Sequence, residues 1–228
     1  MIPSSLVGVK ADEVLARVVL PDGKEMTLVR WDRHIGIEVG GRPLMTSHDH
    51  GSEDELGAVV GEAVRGIAKP RVLIGGLGLG YTLRAALDVL PPAARVEVAE
   101  LVPEVVSWNR GAQGKLAKRP LDDKRVKVLI EDVGEVIKRS TGYDVILLDV
   151  DNGPDALVHP GNAGLYKRAG LMRTRKALRP GGVLAVWSAF ASRTFTIWLE
   201  EVGFTVTMQR TKPSTPGGPR YYIWLARR

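Results

Sequence analysis

Three glycines at alternate positions are the feature of this sequence best suited to chemistry. Gly76, Gly78 and Gly80 follow the apolar segment Val72–Gly75 and precede a segment with the pattern of a helix. Glycine lets a backbone turn sharply and approach a ligand closely, and the start of a helix offers free N–H groups. The segment therefore predicts a nucleotide- or nucleoside-binding turn, with a plain strand-to-helix connection as the alternative.

Carboxylates follow the next three apolar segments that read as strands. These acids are Glu100, the pair Glu131–Asp132, and Asp149 with Asp151. The carboxyl ends of parallel strands meet at one edge of a sheet, where open α/β folds bind ligands. An acid at the second strand end suits a ribose diol, and Asp132 is placed to accept from an adenine amino group. Helix capping is the alternative for each acid.

The spacing of the glycines narrows the choice of ligand class. A dinucleotide site has the pattern Gly-x-Gly-x-x-Gly, whereas residues 76–80 read Gly-x-Gly-x-Gly. No lysine or arginine lies between Gly75 and Leu83 to meet a phosphate. Acidic strand ends suit a nucleoside that carries a cationic sulfonium. We therefore expect S-adenosylmethionine or its decarboxylated form as cofactor, without a metal ion.

The elements that must position these residues alternate strictly between strand and helix from Arg71 onward. Strands that are apolar on both faces, separated by helices, indicate an α/β, Rossmann-like fold with a mostly parallel sheet, for which we predict seven strands. Residues 14–45 instead read as a small N-terminal β-meander of about three strands. We predict an N-terminal β-stranded domain over 1–50 and a nucleoside-binding catalytic domain over 51–228.

Some local patterns give further predictions. Ser52 and Glu55 have the spacing of a capping box at the start of a helix. Tyr81 and Trp108 lie near the predicted site and are candidates to line the donor pocket, whereas Trp187 reads as core. The sequence His48-Asp49-His50 has metal-ligand residue types but is more typical of a polar loop.

The composition sets the protein class. The chain has 228 residues, no cysteine and a net charge of +6. It contains no apolar run long enough to span a membrane and no signal-like start, so we expect a cytoplasmic protein. Nucleic acid is an unlikely partner because no aromatic residues are interleaved with the basic ones. The exposed edges of the meander favour a homodimer or a higher homo-oligomer.

Several motifs together resemble the spermidine synthase-like, polyamine aminopropyltransferase-related branch of the class I S-adenosylmethionine-dependent methyltransferase fold. The matching stretches are Leu44–Ser47, His50–Glu53, Gly75–Gly80, Glu100–Pro103, Tyr143–Asp149 and Leu178–Gly182. The resemblance implies a Rossmann-like domain preceded by a β-meander. It also implies that Glu100 binds the ribose, Asp132 contacts the adenine and Asp149 lies beside the transferred group. The full cofactor-binding set is then Gly75, Gly76, Gly78, Gly80, Glu100, Leu101, Asp132 and Asp149.

The sequence departs from that family in three places. Gly78 stands where the family has an aspartate that recognises the aminopropyl ammonium. Glu53-Asp54 replaces a tyrosine-glutamine pair, and Asn152 replaces a second catalytic aspartate, with Asp151 one position earlier. A missing carboxylate removes a charge-assisted hydrogen bond worth roughly 1.5–3 kcal/mol to an ammonium. The departures therefore favour methyl transfer over aminopropyl transfer.

We thus expect an S-adenosylmethionine-dependent transferase that methylates a small amine-containing acceptor. Asp149 and Asp151 are the candidate catalytic residues, because a carboxylate holds a cationic amine and takes its proton as the nitrogen attacks. The candidate substrate contacts are His50, Glu53, Asp54 and Asn152. Aminopropyl transfer from decarboxylated S-adenosylmethionine to a diamine is one alternative. A non-catalytic, oligomeric nucleoside-binding protein is the other.

Overall fold

The computed structural model describes residues 13–150, 153–154, 162–214 and 218–228. Its first part is an antiparallel sheet of four strands in the order β1-β2-β3-β4. The strands are β1 (Glu13–Val19), β2 (Glu25–Trp31), β3 (His34–Val39) and β4 (Arg42–Thr46). Gly23, at φ +82°, closes the first hairpin, because glycine adopts this left-handed conformation without strain. Short hairpins thus place β4 at the edge of this sheet opposite β1.

The second part is a larger sheet covered by helices on both faces. Its strands are β5 (Arg71–Gly75), β6 (Arg95–Glu100), β7 (Val126–Ile130), β8 (Tyr143–Leu148), β9 (Leu178–Ser188), β10 (Thr205–Arg210) and β11 (Tyr222–Arg227). The helices are α1 (Gly51–Ala63), α2 (Tyr81–Val89), α3 (Pro103–Arg110), α4 (Val133–Arg139), α5 (Ala163–Tyr166), α6 (Arg168–Ala177) and α7 (Arg193–Glu201).

The strand order of the larger sheet, β10-β11-β9-β8-β5-β6-β7, determines where a ligand fits. Strands β5 to β9 run parallel, and the hairpin of β10 and β11 joins antiparallel to β9. The chain leaves β5 for β6 on one side and returns to place β8 on the other. This reversal opens a crevice at the carboxyl ends of β5 and β8, the usual binding place in such sheets.

Burial explains why these segments form strands and why the two sheets stay together. Ile74, Val98 and Leu147 have no exposed surface, as expected for central strands covered on both faces. Leu28 and Ile37 of the small sheet belong to the same hydrophobic cluster as those strands. The small sheet is therefore packed onto the larger unit, which brings the end of β4 to the ligand crevice.

The structure confirms the predicted fold class, a seven-stranded and mostly parallel sheet preceded by a meander. The meander has four strands rather than about three.

The capping-box prediction is wrong: His50 caps α1 through its carbonyl, and Glu55 accepts instead from the backbone N–H of Lys212 at 2.7 Å. None of the helices in the described ranges is long and apolar enough to cross a membrane. The domain boundary and the dimer stay predictions.

Candidate active site

The glycine turn follows β5 at the centre of the sheet. Gly76, Gly78 and Gly80 all have positive φ angles, of +89°, +51° and +88°. A Cβ atom on Gly76 would lie 2.2 Å from the carbonyl oxygen of Asp149, so this turn passes directly against the end of β8. Only glycine fits there, because any side chain would push the two strand ends apart.

Asn109 holds the glycine turn from the side of α3. Its Nδ2 donates to the carbonyl oxygen of Gly78 at 2.7 Å and to that of Val105 at 2.9 Å. The side chain is almost completely buried, so these bonds are shielded from water. Asn109 could not be found from the sequence, because its role depends on how α3 packs against the turn and not on a local motif.

Glu100, at the end of β6, is tied to the glycine turn by backbone hydrogen bonds. Its Oε2 accepts from the N–H of Leu77 at 3.0 Å, and its Oε1 accepts from the N–H of Val102 at 2.9 Å. Burial raises the pKa of the Glu100 carboxyl, and the backbone N–H donors, that of Val102 first, oppose this rise. Two ionised oxygens accept more than one bond each, so lone pairs remain for a ribose diol.

Asp132 lies after β7 and has a structural task of its own. It is the N-cap of α4, and its Oδ1 accepts from the backbone N–H of Glu135 at 3.1 Å. It also lines the cavity at the carboxyl edge of the sheet, next to Glu131. Capping occupies only part of a carboxylate, so Asp132 retains acceptor positions toward the cavity.

Asp149 follows β8 and lines the cavity. Its backbone N–H donates to the carbonyl oxygen of Gly75 at 2.9 Å, which continues the parallel pairing. Its Oδ2 accepts from the hydroxyl of Thr82 at 2.6 Å. Burial raises the pKa of the Asp149 carboxyl, and the hydrogen bond from Thr82 opposes this rise.

Glu53, in the first turn of α1, lines the same cavity as Asp149. Its Oε2 accepts from the hydroxyl of Ser52 at 2.6 Å. Burial and, next, the negative charge of Asp149 raise the pKa of Glu53 to about 8, against the opposing hydrogen bond from Ser52. Two carboxylates that share an enclosed site do not both ionise readily unless a cation lies between them.

His50 and Asp54 form a pair beside the cavity and are not among the residues that line it. The Nδ1 atom of His50 lies 2.8 Å from the Oδ2 atom of Asp54, and this hydrogen bond raises the pKa of His50. The His50 ring stacks on Tyr81, with ring centroids 3.8 Å apart. Burial raises the pKa of Tyr81 to about 12, so its hydroxyl stays protonated at neutral pH. The pair thus supports the Tyr81 wall of the cavity.

The cavity is strongly acidic. The carboxylate-bearing residues in its lining are Asp49, Glu53, Glu100, Glu131, Asp132 and Asp149. Among the lining residues that the structure describes, none is lysine, arginine or histidine. The field inside such a cavity favours ligands that carry positive charge.

Two neighbouring aromatic rings also line the cavity. Trp187, at the end of β9, and Tyr221, just before β11, line the cavity with their ring centroids 5.0 Å apart. Burial raises the pKa of Tyr221, followed by the charges of Asp49 and Glu53. The prediction of Trp187 as a core residue was incomplete: its place at a strand end, like that of Asp149, is the signal that could have revealed its contact with the cavity.

Met45 fills the space where a side chain at position 78 would go. A Cβ atom on Gly78 would lie 2.5 Å from the Met45 Sδ atom, and the backbone N–H of Leu79 donates to the same sulfur at 3.3 Å. The end of β4 therefore closes the glycine turn with an apolar side chain. Met45 lies in the stretch Leu44–Ser47 that resembles the family, but its role could not be found from the sequence, because its contact with the glycine turn joins two sheets.

The predicted site residues are distributed as follows. Gly76, Gly78, Glu100, Leu101, Asp132, Asp149 and Glu53 line the cavity, as does Tyr81. Gly75 and Gly80 are not among the lining residues and instead shape the turn. Trp108 packs against the main hydrophobic cluster. The predictions for Asp151 and Asn152 lie outside the described residues. In the described part of the chain, no group of three or more histidine, aspartate or glutamate side chains is arranged to hold a metal ion.

The fold and the site together define a class. A Rossmann-like sheet with a glycine turn, acids at successive strand ends and an acidic cavity between them is the design of a nucleoside-binding α/β protein. Residues 56–222 match the family model described as the spermine/spermidine synthase domain. The chain therefore belongs to that family.

Similar proteins carry related names. The chain is 39% identical over 103 residues to polyamine aminopropyltransferase 2 of Caldanaerobacter subterraneus, a stretch that covers 43% of this chain and 33% of that protein. It is 33% identical over 119 residues to the polyamine aminopropyltransferase of Pyrococcus abyssi, covering 50% and 40%. The matched stretches thus span only a third to two fifths of these relatives.

Solved structures share the fold over a longer stretch. The spermidine synthase of Thermotoga maritima matches with a TM-score of 0.74 and 19% identity, covering 96% of this chain and 74% of that one. A spermidine synthase in complex with the transition state analogue AdoDATO matches with a TM-score of 0.73 and 18% identity, covering 96% and 73%. At this level of identity the likeness concerns the fold.

Proposed function

We propose that this protein transfers an aminopropyl group from decarboxylated S-adenosylmethionine to a small amine-bearing acceptor. The sequence alone favoured methyl transfer, because Gly78 replaces a carboxylate in the glycine turn. The names of the relatives and the charge of the cavity instead support the alternative. A second acid, Glu53, lines the same cavity as Asp149 and becomes a partner for a bound cation when it gives up its proton.

The observation that carries this proposal is the all-acidic set of ionisable groups in the described lining. S-adenosylmethionine has a carboxylate on the chain attached to sulfur, and its decarboxylated form has none. A carboxylate placed about 4 Å from an ionised Asp149 would be repelled by about 4 kcal/mol at an effective dielectric constant near 20. No described basic side chain in the lining offsets that repulsion, so the decarboxylated donor fits better.

The proposed reaction needs positioning more than covalent catalysis. The acceptor nitrogen attacks the aminopropyl carbon bound to the sulfonium, a C–N bond forms, and the C–S bond breaks with its electron pair moving to sulfur. The products are 5′-methylthioadenosine and the aminopropylated amine. We infer that the proton lost by the nitrogen goes to the carboxylate of Asp149. Alignment of the nitrogen, carbon and sulfur in an enclosed site lowers the barrier.

Calorimetry distinguishes the two donors directly. We expect the decarboxylated donor to bind at least tenfold more tightly than S-adenosylmethionine, with 5′-methylthioadenosine also binding. Tighter binding of S-adenosylmethionine would contradict the proposal and restore methyl transfer as the main function. Ligand that co-purifies with the protein, identified by mass spectrometry, is an independent check.

Turnover is tested with a panel of acceptors that includes diamines, triamines and monoamines. We expect 5′-methylthioadenosine to appear with a diamine or triamine, and Asp149→Asn to remove this activity. Asp88→Asn is the matched control, because Asp88 is an exposed residue of α2 that pairs with Arg84. Donor binding without turnover on any acceptor would favour the non-catalytic alternative.

A further inference from the structure

The Asp149 carboxylate depends on one buried hydroxyl that the proposed reaction does not itself use. Thr82 is the second residue of α2 and has 3% of its surface exposed. Its hydroxyl donates to Asp149 Oδ2 at 2.6 Å, a short bond typical of a hydroxyl with a charged carboxylate. The bond joins the start of α2 to the end of β8.

Both ends of this hydrogen bond are fixed by the backbone. The N–H of Asp149 donates to the Gly75 carbonyl at 2.9 Å, and the Asp149 carbonyl lies against Gly76. Thr82 is held from the other side by α1, since a Cβ atom on Gly57 would lie 2.4 Å from the Thr82 carbonyl oxygen. The geometry of the pair is therefore determined by packing that precedes any ligand.

The same packing brings a second carboxylate to the pair. Glu53 and Gly57 are four residues apart in α1 and share one helix face. Gly57 packs directly against α2 at Thr82, and Glu53, Thr82 and Asp149 all line the cavity, where the charge of Asp149 acts on Glu53. Each carboxylate then has its own hydroxyl donor: Thr82 for Asp149 and Ser52 for Glu53, both at 2.6 Å.

Two adjacent carboxylates without a cation share a proton, and hydrogen bonds to one of them decide where the proton lies. The ionisable groups that line the cavity together with Asp149 are Asp49, Glu53, Tyr81, Glu100, Glu131, Asp132 and Tyr221, and none of them carries a positive charge. His50, beside the cavity, interacts with the charges of Asp54 and Glu53. Within the part of the chain that the structure describes, the side chain that donates to the Asp149 carboxylate is that of Thr82, an uncharged donor.

We propose that Thr82 is a positioning residue that makes Asp149, rather than Glu53, the ionised member of the carboxylate pair. Asp149 is then ready to accept the proton of the acceptor amine, while Glu53 holds the shared proton until a cation enters. The chemical use of Asp149 rests on the proposed function, but the division of the proton between the two carboxylates does not.

The test measures the carboxylate titration itself. Protein labelled with ¹³C at the aspartate and glutamate carboxyl carbons is titrated by NMR, with Asp149 assigned from the signal lost in Asp149→Asn. In Thr82→Val we expect the Asp149 midpoint to rise by about one pH unit, a tenfold change in proton affinity. In Ser52→Ala we expect it to fall, because the shared proton moves further toward Glu53. Thr82→Ser restores the hydroxyl and the original midpoint.

Thr174→Val is the matched control. Thr174 is fully buried in α6 and donates to the Gly170 carbonyl, away from the cavity. We expect it to leave the Asp149 midpoint unchanged. Equal midpoints in wild type and Thr82→Val, or shifts of the same sign in Thr82→Val and Ser52→Ala, would overturn the proposal, because a purely structural effect does not produce opposite shifts.

Activity gives a second, separable readout. With a working acceptor, Thr82→Val should move the acidic limb of the kcat/KM profile upward by the same pH interval and lower activity about tenfold below it. An acidic limb that does not follow the NMR midpoint would overturn the role of Asp149 as proton acceptor. If no acceptor is turned over, the proposed function fails, and the NMR titration still decides where the shared proton lies.

Discussion

Replacing Glu100 by glutamine tests whether this acid binds a ribose or only organises the glycine turn. In the structure its two oxygens accept from the N–H groups of Leu77 and Val102 at 3.0 and 2.9 Å. A glutamine turns one of these oxygens into an NH₂ group that faces a backbone donor. Hydrogen bonds to charged groups contribute about 1.5–3 kcal/mol each, so we expect both lower stability and weaker nucleoside binding.

A thermodynamic cycle that combines a protein substitution with a change in the ligand separates ribose binding from organisation of the glycine turn. The ligands are 5′-methylthioadenosine and its 2′-deoxy analogue, and the proteins are wild type and Glu100→Gln, compared by calorimetry. In wild type we expect the deoxy analogue to bind about ten- to a hundredfold more weakly, from the loss of about 1.5–3 kcal/mol. In Glu100→Gln this penalty should shrink to a few-fold, because the hydroxyl has lost its charged acceptor.

Glu104→Gln is the control for charge removal. It changes an acid in the first turn of α3 that does not line the cavity. Both ligands should bind to it as they do to wild type. A deoxy penalty of the same size in Glu100→Gln as in wild type would refute the ribose assignment. Glu100 would then act on binding only through the glycine turn.

Three further substitutions test the electrostatics and the packing of the site. The pKa of Glu53 rises to about 8 in the folded state, so wild type should lose stability as the pH increases from about 4.5 to 8. In thermal melts, the melting temperature of Glu53→Gln should depend less on pH over this range. The control Glu62→Gln, at an exposed residue, should show the same pH dependence as wild type. Gly78→Ala would place a Cβ atom 2.5 Å from Met45 Sδ, at a backbone position whose φ is +51°. Because both the contact and the angle strain the turn, we expect roughly tenfold weaker nucleoside binding in calorimetry. The second substitution Met45→Ala should restore part of this affinity. Asn109→Asp buries a negative charge against the two carbonyl oxygens to which Asn109 donates. Denaturant unfolding should therefore show a free energy of unfolding lower by about 3 kcal/mol or more. A smaller decrease would contradict the role of Asn109 in holding the glycine turn.

The sequence was sufficient for the sheet and for the acids at its carboxyl edge. Buried parallel strands read as short apolar runs, and the residue after each run must lie at the same edge. Glu100, Asp132 and Asp149 were found in this way, together with the glycines between β5 and α2. These lining residues could be found from the sequence because their position follows from strand direction alone.

The rest depended on contacts between elements that are distant in the chain. Met45 reaches Gly78 only because the small sheet packs against the larger one. Ser52 and Glu55 have the spacing of a capping box, yet Glu55 accepts instead from the backbone of Lys212, since a tertiary partner competes with a local one. Thr82 has no motif at all: its importance arises where α2 meets the end of β8.

The carboxylates of the cavity differ in what stabilises their charge, and this difference indicates what each can do. Glu100 accepts from backbone N–H groups, which oppose the rise that burial causes in its pKa. Asp149 accepts from the hydroxyl of Thr82. Glu53 accepts from the hydroxyl of its neighbour Ser52, and the charge of Asp149 raises its pKa. Of these three carboxylates, we expect an entering cation to stabilise the negative charge of Glu53 most, because the cation replaces a proton that Glu53 and Asp149 would otherwise share.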